Sequence, residues 1–109
     1  MVRLLEEYQP VDETHGILSL SDIKSLCGEV FRKHAVDYAY LFGSYAKGKA
    51  TEKSDVDLLV STKATGLRFF GLVEELKNAL HKNVDVLDLN QLNNKDLINE
   101  ILKDGIKIF

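Results

Sequence analysis

The first half of the chain carries a helical pattern followed by a strand pattern. An amphipathic helix is predicted where apolar residues recur at helical spacing, namely at Ile23, Leu26, Cys27 and Val30. Ser19 or Ser21 can cap the beginning of this helix. Residues 36–42 are rich in β-branched and aromatic side chains, which predicts a strand. Residues 44–49 then leave room for no more than a turn or two of helix.

The second half continues with two more strands separated by a longer helix. Residues 55–61 and 84–89 alternate between apolar and polar side chains, so we predict a strand in each. Thr65 or Gly66 opens the helix between them. This helix is predicted by an apolar stripe that consists of Phe69, Leu72, Val73, Leu76 and Leu80.

The last segment predicts a capped helix and a short tail. Asn93 or Asn94 can cap a helix that begins near residue 95. Gly105 stands where the C-terminal glycine of a helix is expected. Residues 106–109 then form a short strand or a packing tail. This order of elements predicts an α/β fold, a small mixed β-sheet flanked by helices.

Length and composition describe one globular domain. The chain has 109 residues, of which 45% are hydrophobic and 28% are charged, and this balance is typical of a folded protein rather than a disordered one. Residues 1–18 hold the only proline and show no clear period, so we assign them to an N-terminal extension. Residues 19–109 form the predicted domain.

Charge, cysteine content and hydropathy exclude several classes of protein. A net charge of -3 excludes a polycation that wraps nucleic acid, so we expect no direct nucleic-acid binding. The single cysteine, Cys27, excludes an internal disulfide and a cysteine-cage zinc site. No apolar run approaches the length of a membrane span, and the N-terminus lacks an apolar signal core. We therefore expect a cytoplasmic protein without a membrane partner.

Two aspartates at the start of the second predicted strand are the first candidates for chemistry. Asp55 and Asp57 would point to the same face of a strand, with Cα atoms about 6.7 Å apart. Two ionised carboxylates repel each other, and a magnesium ion shared with substrate phosphates is their natural partner. Asp85 can join them if the second and third strands are neighbours, whereas Asp88 has the opposite parity.

A glycine and a serine between the first two strands supply a candidate phosphate site. Gly43 allows a close approach of the backbone to a phosphate, and the Ser44 hydroxyl and the amides of the following turn can donate to it. Lys47 can neutralise part of its charge, although the lysines of residues 47–53 also fit a solvated loop. A phosphate cradle beside a two-metal acid cluster suits nucleotidyl transfer.

The combined pattern of Gly43, Ser44, Asp55 and Asp57 resembles the signature of the DNA polymerase β-like nucleotidyltransferases, and within them the minimal nucleotidyltransferases. The resemblance covers about residues 19–109 and implies the polymerase β-like fold. It implies that Gly43 and Ser44 hold the nucleotide phosphates and that Asp55, Asp57 and Asp85 hold two Mg²⁺ ions. Asp85 would also help to deprotonate the attacking hydroxyl. The family often has arginine where Tyr45 or Lys47 stands in this chain. Lysine keeps the charge at Lys47 but loses bidentate phosphate contact.

The same resemblance implies a substrate and a partner. Minimal nucleotidyltransferases are often paired with a HEPN-type toxin as its antitoxin, and some transfer AMP from ATP to a tyrosine of that toxin. We therefore expect an adenylyltransferase acting on a protein hydroxyl. Two alternatives stay open: an antitoxin that acts by binding alone, and a small-molecule nucleotidyltransferase of the aminoglycoside type. A homo-oligomer would suit the latter, because two copies could build an acceptor pocket together.

Overall fold

Residues 16–109 are described here from a computed structural model of the chain. Helices and strands follow one another as the sequence predicts, and a 3₁₀ turn is added after the third strand. They are α1 (Leu20–Lys33), β1 (Val36–Phe42), α2 (Gly43–Ala46), β2 (Val56–Thr62), α3 (Leu67–Leu80), β3 (Val84–Asp88), the 3₁₀ turn (Leu89–Gln91), α4 (Lys95–Asp104) and β4 (Ile106–Lys107).

The strands form one mixed sheet in the order β3-β2-β1-β4. The hairpin of β1 and β2 is antiparallel, and β4 also pairs antiparallel with β1. β2 and β3 run parallel, joined by α3 as a crossover helix, which is the connection that parallel neighbours require. The predicted α/β class, a small mixed sheet flanked by helices, is confirmed.

The main core lies between the sheet and the helices α1 and α3, which contact each other. Most of each apolar stripe predicted from sequence spacing is buried in this core, including Cys27 of α1 and Leu72 of α3. The prediction is wrong for Leu26, whose side chain is 39% exposed. At the surface, Glu75 of α3 accepts hydrogen bonds from His34 Nε2 at 2.7 Å and from Lys33 Nζ at 2.9 Å. These two partners hold the pKa of the Glu75 carboxyl below its usual value.

The opposite face of the sheet has a different covering. Leu59 of β2 and Ile101 of α4 are buried but lie outside the main core cluster. α4 contacts β1, and the 3₁₀ turn contacts β2. Asn90 of that turn donates a hydrogen bond from Nδ2 to the Thr62 carbonyl at 3.1 Å. This second face is the one that carries Asp57 and Asp85.

The helix caps follow local chemistry. Ser19 Oγ accepts from the Asp22 amide at 3.0 Å, and Asn94 Oδ1 accepts from the Leu97 amide at 3.1 Å. One alternative of each predicted pair is therefore confirmed. Gly105 does end α4, but its φ of -77° is ordinary. It must be glycine because a Cβ there would lie 2.5 Å from the Ile101 carbonyl oxygen and 2.9 Å from that of Leu41.

Three predicted strand boundaries shift by a residue, one of them at the end of β2, which runs to Thr62 instead of Ser61. β2 begins at Val56 rather than Asp55, because Val56 is the first residue that pairs with β3 and its amide donates to the Asn83 carbonyl at 3.1 Å. β3 ends at Asp88, whose carboxylate accepts from the Asn90 amide at 3.0 Å and starts the 3₁₀ turn. Asp88 is thereby occupied with capping, on the core side of the strand.

The predicted N-terminal extension falls mostly on residues 1–15, which lie outside the described residues. Its last residue, Leu18, is buried in the main core, and the Leu18 amide donates to the Tyr45 hydroxyl at 3.4 Å. The boundary after residue 18 stays a prediction. None of the helices described in residues 16–109 has the length and hydropathy needed to cross a bilayer.

Candidate active site

Asp57 and Asp85 are direct neighbours on adjacent parallel strands. The register pairs Asp57 with Asp85, one step along from the pair of Val56 and Val84. Neighbouring strands lie about 4.8 Å apart, and paired residues point to the same face. The condition that the sequence left open, that the second and third strands be adjacent, is therefore met. Asp55 is exposed and lies just before the start of β2.

The pKa of Asp57 is affected by both of the other acids. Its pKa is raised above the usual value, first by partial burial, then by the negative charge of Asp85 and then by that of Asp55. A carboxylate surrounded by like charge is harder to ionise. The three aspartates thus form one interacting group, in which Asp57 is central.

This group has no basic partner within ion-pair distance among residues 16–109, where the ion pairs join other residues. In the same part of the chain, no three acidic, histidine or cysteine side chains stand close enough together to form a ready-made metal cage. Magnesium sites for phosphate substrates commonly use one or two carboxylates and leave the remaining positions to phosphate and water. The paired aspartates therefore suit a magnesium site that is completed by substrate phosphate and water better than a site built from protein ligands alone.

Gly43 lies against Asp57 on the side of β1. It follows Phe42, which pairs with Asp57 across the hairpin, and it adopts a φ of +74°. A Cβ at this position would overlap Asp57 Oδ2 and lie 3.1 Å from its Cγ. Any residue other than glycine would therefore be strained and would push against the carboxylate. The predicted pairing of a glycine turn with the acids is a direct contact in the structure.

Ser44 and Lys47 occupy the turn that follows Gly43. α2 spans only Gly43–Ala46, and Lys47 is its C-terminal cap, with its amide bonded to the Gly43 carbonyl at 3.1 Å. Ser44 is half-buried and Lys47 is exposed. Both residues belong to the turn that begins at Gly43, and Gly43 is the residue of this turn that meets Asp57.

An open polar cleft of about 610 Å³ lies at the beginning of β2 and β3, and of the three site aspartates its lining contains Asp55. The sequence did not point to this cleft, since its residues come from two loops with no shared pattern. It is lined by residues 52–55 and 81–83. A more apolar pocket lies at the other end of the same strands, lined in part by Phe69, Val86 and Leu92, and contains none of the predicted site residues.

Comparison with known proteins places this geometry in a family. The family model described as "Polymerase beta, Nucleotidyltransferase" matches residues 26–109. The chain belongs to the polymerase β nucleotidyltransferase family. It is therefore a nucleotidyltransferase, as its sequence motif predicted, and its substrate is a nucleotide. The matched range contains the Gly43 turn and all three aspartates.

Two curated relatives share more than a third of their aligned residues with this chain. A protein of Methanocaldococcus jannaschii, assigned by name to the protein adenylyltransferases, is 37% identical over 92 residues, which cover 82% of this chain and 91% of the relative. A second protein of that organism with the same kind of name is 37% identical over 84 residues, covering 68% of this chain and 93% of the relative. The predicted resemblance to this group is confirmed.

Solved structures share the fold. One described as a minimal nucleotidyltransferase has a TM-score of 0.70 at 29% identity, covering 82% of this chain and 95% of that chain. A toxin–antitoxin crystal structure with AMP-PNP has a TM-score of 0.70 at 24% identity, covering 79% of this chain and 72% of that chain. A complex of a tri-AMPylated Shewanella oneidensis HEPN toxin with its MNT antitoxin has a TM-score of 0.62 at 22% identity, covering 80% and 69%.

Proposed function

We propose that this protein transfers AMP from ATP to a hydroxyl group of a partner protein. The observation that carries the proposal is the pairing of Asp57 with Asp85 beside the Gly43 turn. Carboxylates suited to a divalent cation and a glycine suited to a phosphate meet there within one contact distance. Nucleotidyl transfer needs both groups at the same phosphates.

Asp55, Asp57 and Asp85 are the residues that would hold Mg²⁺, two ions in this proposal. Their oxygen donors are the kind that Mg²⁺ prefers. Partial burial, and then the negative charges of Asp85 and Asp55, raise the pKa of Asp57, so a cation is a favourable neighbour. Bound Mg²⁺ would neutralise negative charge on the phosphates during transfer.

Residues of the chain would bind the phosphates and accept the proton of the acceptor hydroxyl. Gly43 and Ser44 hold the β- and γ-phosphates, and Lys47 adds positive charge. The acceptor oxygen bonds to the α-phosphorus while the bond from that phosphorus to the bridging oxygen breaks, and pyrophosphate leaves. Asp85 takes the hydroxyl proton. It is exposed on an edge strand of the described sheet, so an incoming acceptor can reach it.

The acceptor we propose is a tyrosine of a HEPN-type toxin. Two observations on relatives support this choice: the curated relatives are assigned by name to the protein adenylyltransferases, and one structural neighbour is a complex with an AMPylated HEPN toxin. In this proposal the chain acts in the cytoplasm as the antitoxin of such a pair.

Transfer of label from ATP to the partner tests the proposal. The protein is incubated with ATP labelled on the α-phosphate, Mg²⁺ and, as the acceptor, a HEPN-type protein encoded by a neighbouring gene. We expect label on a tyrosine of that protein, and none when Asp57 and Asp85 are both changed to asparagine. Asp37→Asn is the matched control, because Asp37 is an exposed aspartate of the same sheet outside the site. Label that survives the double substitution contradicts the proposed site.

Inhibition by binding alone is separated from catalysis by a growth assay. Cells that produce the toxin with the wild-type chain are compared with cells that carry the Asp55→Asn and Asp57→Asn double variant. Restored toxicity supports catalysis. Full protection by the double variant favours an antitoxin that acts by covering its partner. Label on an aminoglycoside instead of the protein favours the small-molecule enzyme.

A further inference from the structure

A groove, here called the α1 groove, runs along one side of α1, between this helix and the end of the described chain. Its open volume is about 690 Å³. Three of the α1 residues that line it have small side chains or none, namely Ser21, Ser25 and Gly28. Apolar surface borders the same groove at Leu20, which is 43% exposed, and at Phe109. Small residues beside exposed apolar surface leave room for another segment of polypeptide.

The side chains that line the α1 groove carry positive charge and no negative charge. Lys24 and Arg32 are both exposed there, and the lining contains no aspartate or glutamate. The guanidinium of Arg32 lies beside Gly28, since its Nη1 atom is 3.5 Å from the position that a Cβ on Gly28 would take. The ion pairs among residues 16–109 involve neither of these two cations. A terminal carboxylate on Phe109 leaves an excess of one positive charge, so the groove attracts an acidic segment.

Residues 1–15 have the complementary composition. They hold four of the 17 acidic residues of the chain and one of its 14 lysines and arginines, so they account for the whole net charge of -3. The acids form two pairs, at residues 6–7 and 12–13, and residues 4–5 are leucines. This segment therefore offers negative charge to the cations of the groove and apolar side chains to Leu20.

The same segment joins the described chain close to one end of the groove. Gly16 is the first described residue, and four residues later Leu20 lines the groove, so their Cα atoms are at most about 14 Å apart. Leu18, between them, is buried in the main core and fixes this approach. Fifteen residues span up to about 50 Å, whereas α1 extends only about 18 Å from Leu20 to Arg32. The segment is therefore long enough to reach every part of the groove.

The spacing of the two acidic pairs fits the spacing of the two cations. Lys24 and Arg32 are eight residues apart on α1, which is a rise of about 12 Å along the helix axis. The five residue steps from Glu7 to Asp12 span at most about 17 Å. Both acidic pairs can therefore lie near a cation at the same time.

We propose that residues 1–15 dock in the α1 groove, with their acidic pairs on Lys24 and Arg32 and their leucines against Leu20 and Phe109. The groove is thereby an intramolecular binding site for an acidic segment that contains leucine. This inference goes beyond the proposed function and does not rest on it, because it involves neither the site aspartates nor the nucleotide.

A spin label on residue 9 tests where the segment lies. Gln9→Cys places a thiol between the two acidic pairs of the full chain, and the native Cys27 is buried, so the label attaches at residue 9. In an isotope-labelled sample, we expect the amide signals of Lys24, Gly28 and Phe109 to lose most of their intensity. Signals of β3, at the opposite edge of the sheet from β4, should keep theirs. Chemical reduction of the label should restore every signal.

Charge variants of the spin-labelled chain test the ionic pairing. Lys24→Glu with Arg32→Glu should lower the ratio of docked to undocked segment by about fivefold or more, the scale of one exposed ion pair. Adding Glu6→Lys and Glu7→Lys restores opposite charges and should recover docking. A higher salt concentration should also weaken docking in the Gln9→Cys chain, without any change in the groove itself.

The matched control is Lys63→Glu with Arg68→Glu. It makes the same change of charge at an exposed lysine and an exposed arginine outside the α1 groove. The loss of signal at the groove should therefore stay as it is in the Gln9→Cys chain. Circular dichroism checks that each variant is folded.

Three results would contradict the proposal. Signals that fall equally at the groove and in β3, or at neither, overturn docking in the groove. A loss of signal that survives both the charge reversal and high salt overturns the pairing of the acids with Lys24 and Arg32. In a mixture of spin-labelled chain with isotope-labelled chain that carries no spin label, loss of the groove signals means that the segment docks on a second copy, which overturns the intramolecular site. Groove signals that fall only within one chain and recover on charge reversal support it.

Discussion

The two faces of β2 differ in what their side chains do. Val56, Leu58 and Val60 face the main core with no exposed surface, and each adds apolar burial to the stability of the fold. Asp57, between them, faces the other way, where partial burial and the like charges of Asp85 and Asp55 raise its pKa. The same seven residues therefore stabilise the fold on one side and hold unfavourable charge on the other. Function and stability are separated here by a single position in the strand.

The largest effect is expected for catalysis on the acidic face. Asp57→Asn removes the central carboxylate, so the proposed AMP transfer should fall by about 10³-fold or more. Labelled-ATP transfer measures the rate, and circular dichroism checks that the variant is folded. A rate within about tenfold of the wild type would remove Asp57 from the catalytic group.

The next largest effect is expected on the unfolding free energy when two adjacent leucines, one on each face of β2, are changed to alanine. Leu58 and Leu59 are both fully buried, but only Leu58 belongs to the main core. Leu58→Ala should cost about 3–4 kcal/mol of unfolding free energy, whereas Leu59→Ala should cost about 2 kcal/mol, because a thinner cover relaxes more easily around a cavity. Urea denaturation measures both. Equal losses would mean that the two layers are packed equally tightly.

A smaller effect is expected where the turn meets the acidic face. Gly43→Ala should cost about 2–3 kcal/mol, because it combines a left-handed φ with a collision against Asp57. Gly48→Ala is the control. Gly48 has a similar φ of +71° but nothing within 4 Å of a Cβ, so it should lose only about 1 kcal/mol. Matching losses in the two variants would show that Asp57 moves aside freely.

The smallest effect concerns the charge on the acidic face itself. Because the folded state raises the pKa of Asp57, it binds a proton more tightly than the unfolded state, and this group lowers stability as the pH rises through that pKa. Asp57→Asn should therefore be more stable than the wild type by about 0.5 kcal/mol near neutral pH, the scale of one like-charged cross-strand pair. Calorimetry at several pH values measures the difference. It should vanish in acid, below the unfolded pKa, and a difference independent of pH would point to packing instead of charge.

The features that the sequence predicted depend on local chemistry. Strand parity placed Asp85 with Asp57 and excluded Asp88, because successive side chains alternate faces. Ser19 and Asn94 cap their helices through bonds to residues three positions away. Such signals act within a few residues and need no knowledge of the tertiary structure.

The features that the sequence did not reveal depend on contacts between distant segments. Gly105 is required by the carbonyl of Leu41 on another element, not by the backbone conformation that a terminal glycine suggests. The polar cleft joins residues 52–55 with residues 81–83, which approach each other only because β2 and β3 are parallel neighbours. The left-handed φ of His81 is a backbone property, and the identity of its side chain does not predict it.

The position of β3 has a consequence for how this enzyme responds to heat. β3 is one of the two edge strands of the described sheet and pairs with β2 alone. Its loosening would carry Asp85 away while Leu58 and its neighbours stayed packed, since marginal strands open before the rest of a domain. Thermal inactivation should therefore precede melting, with amide exchange in residues 84–88 accelerating first.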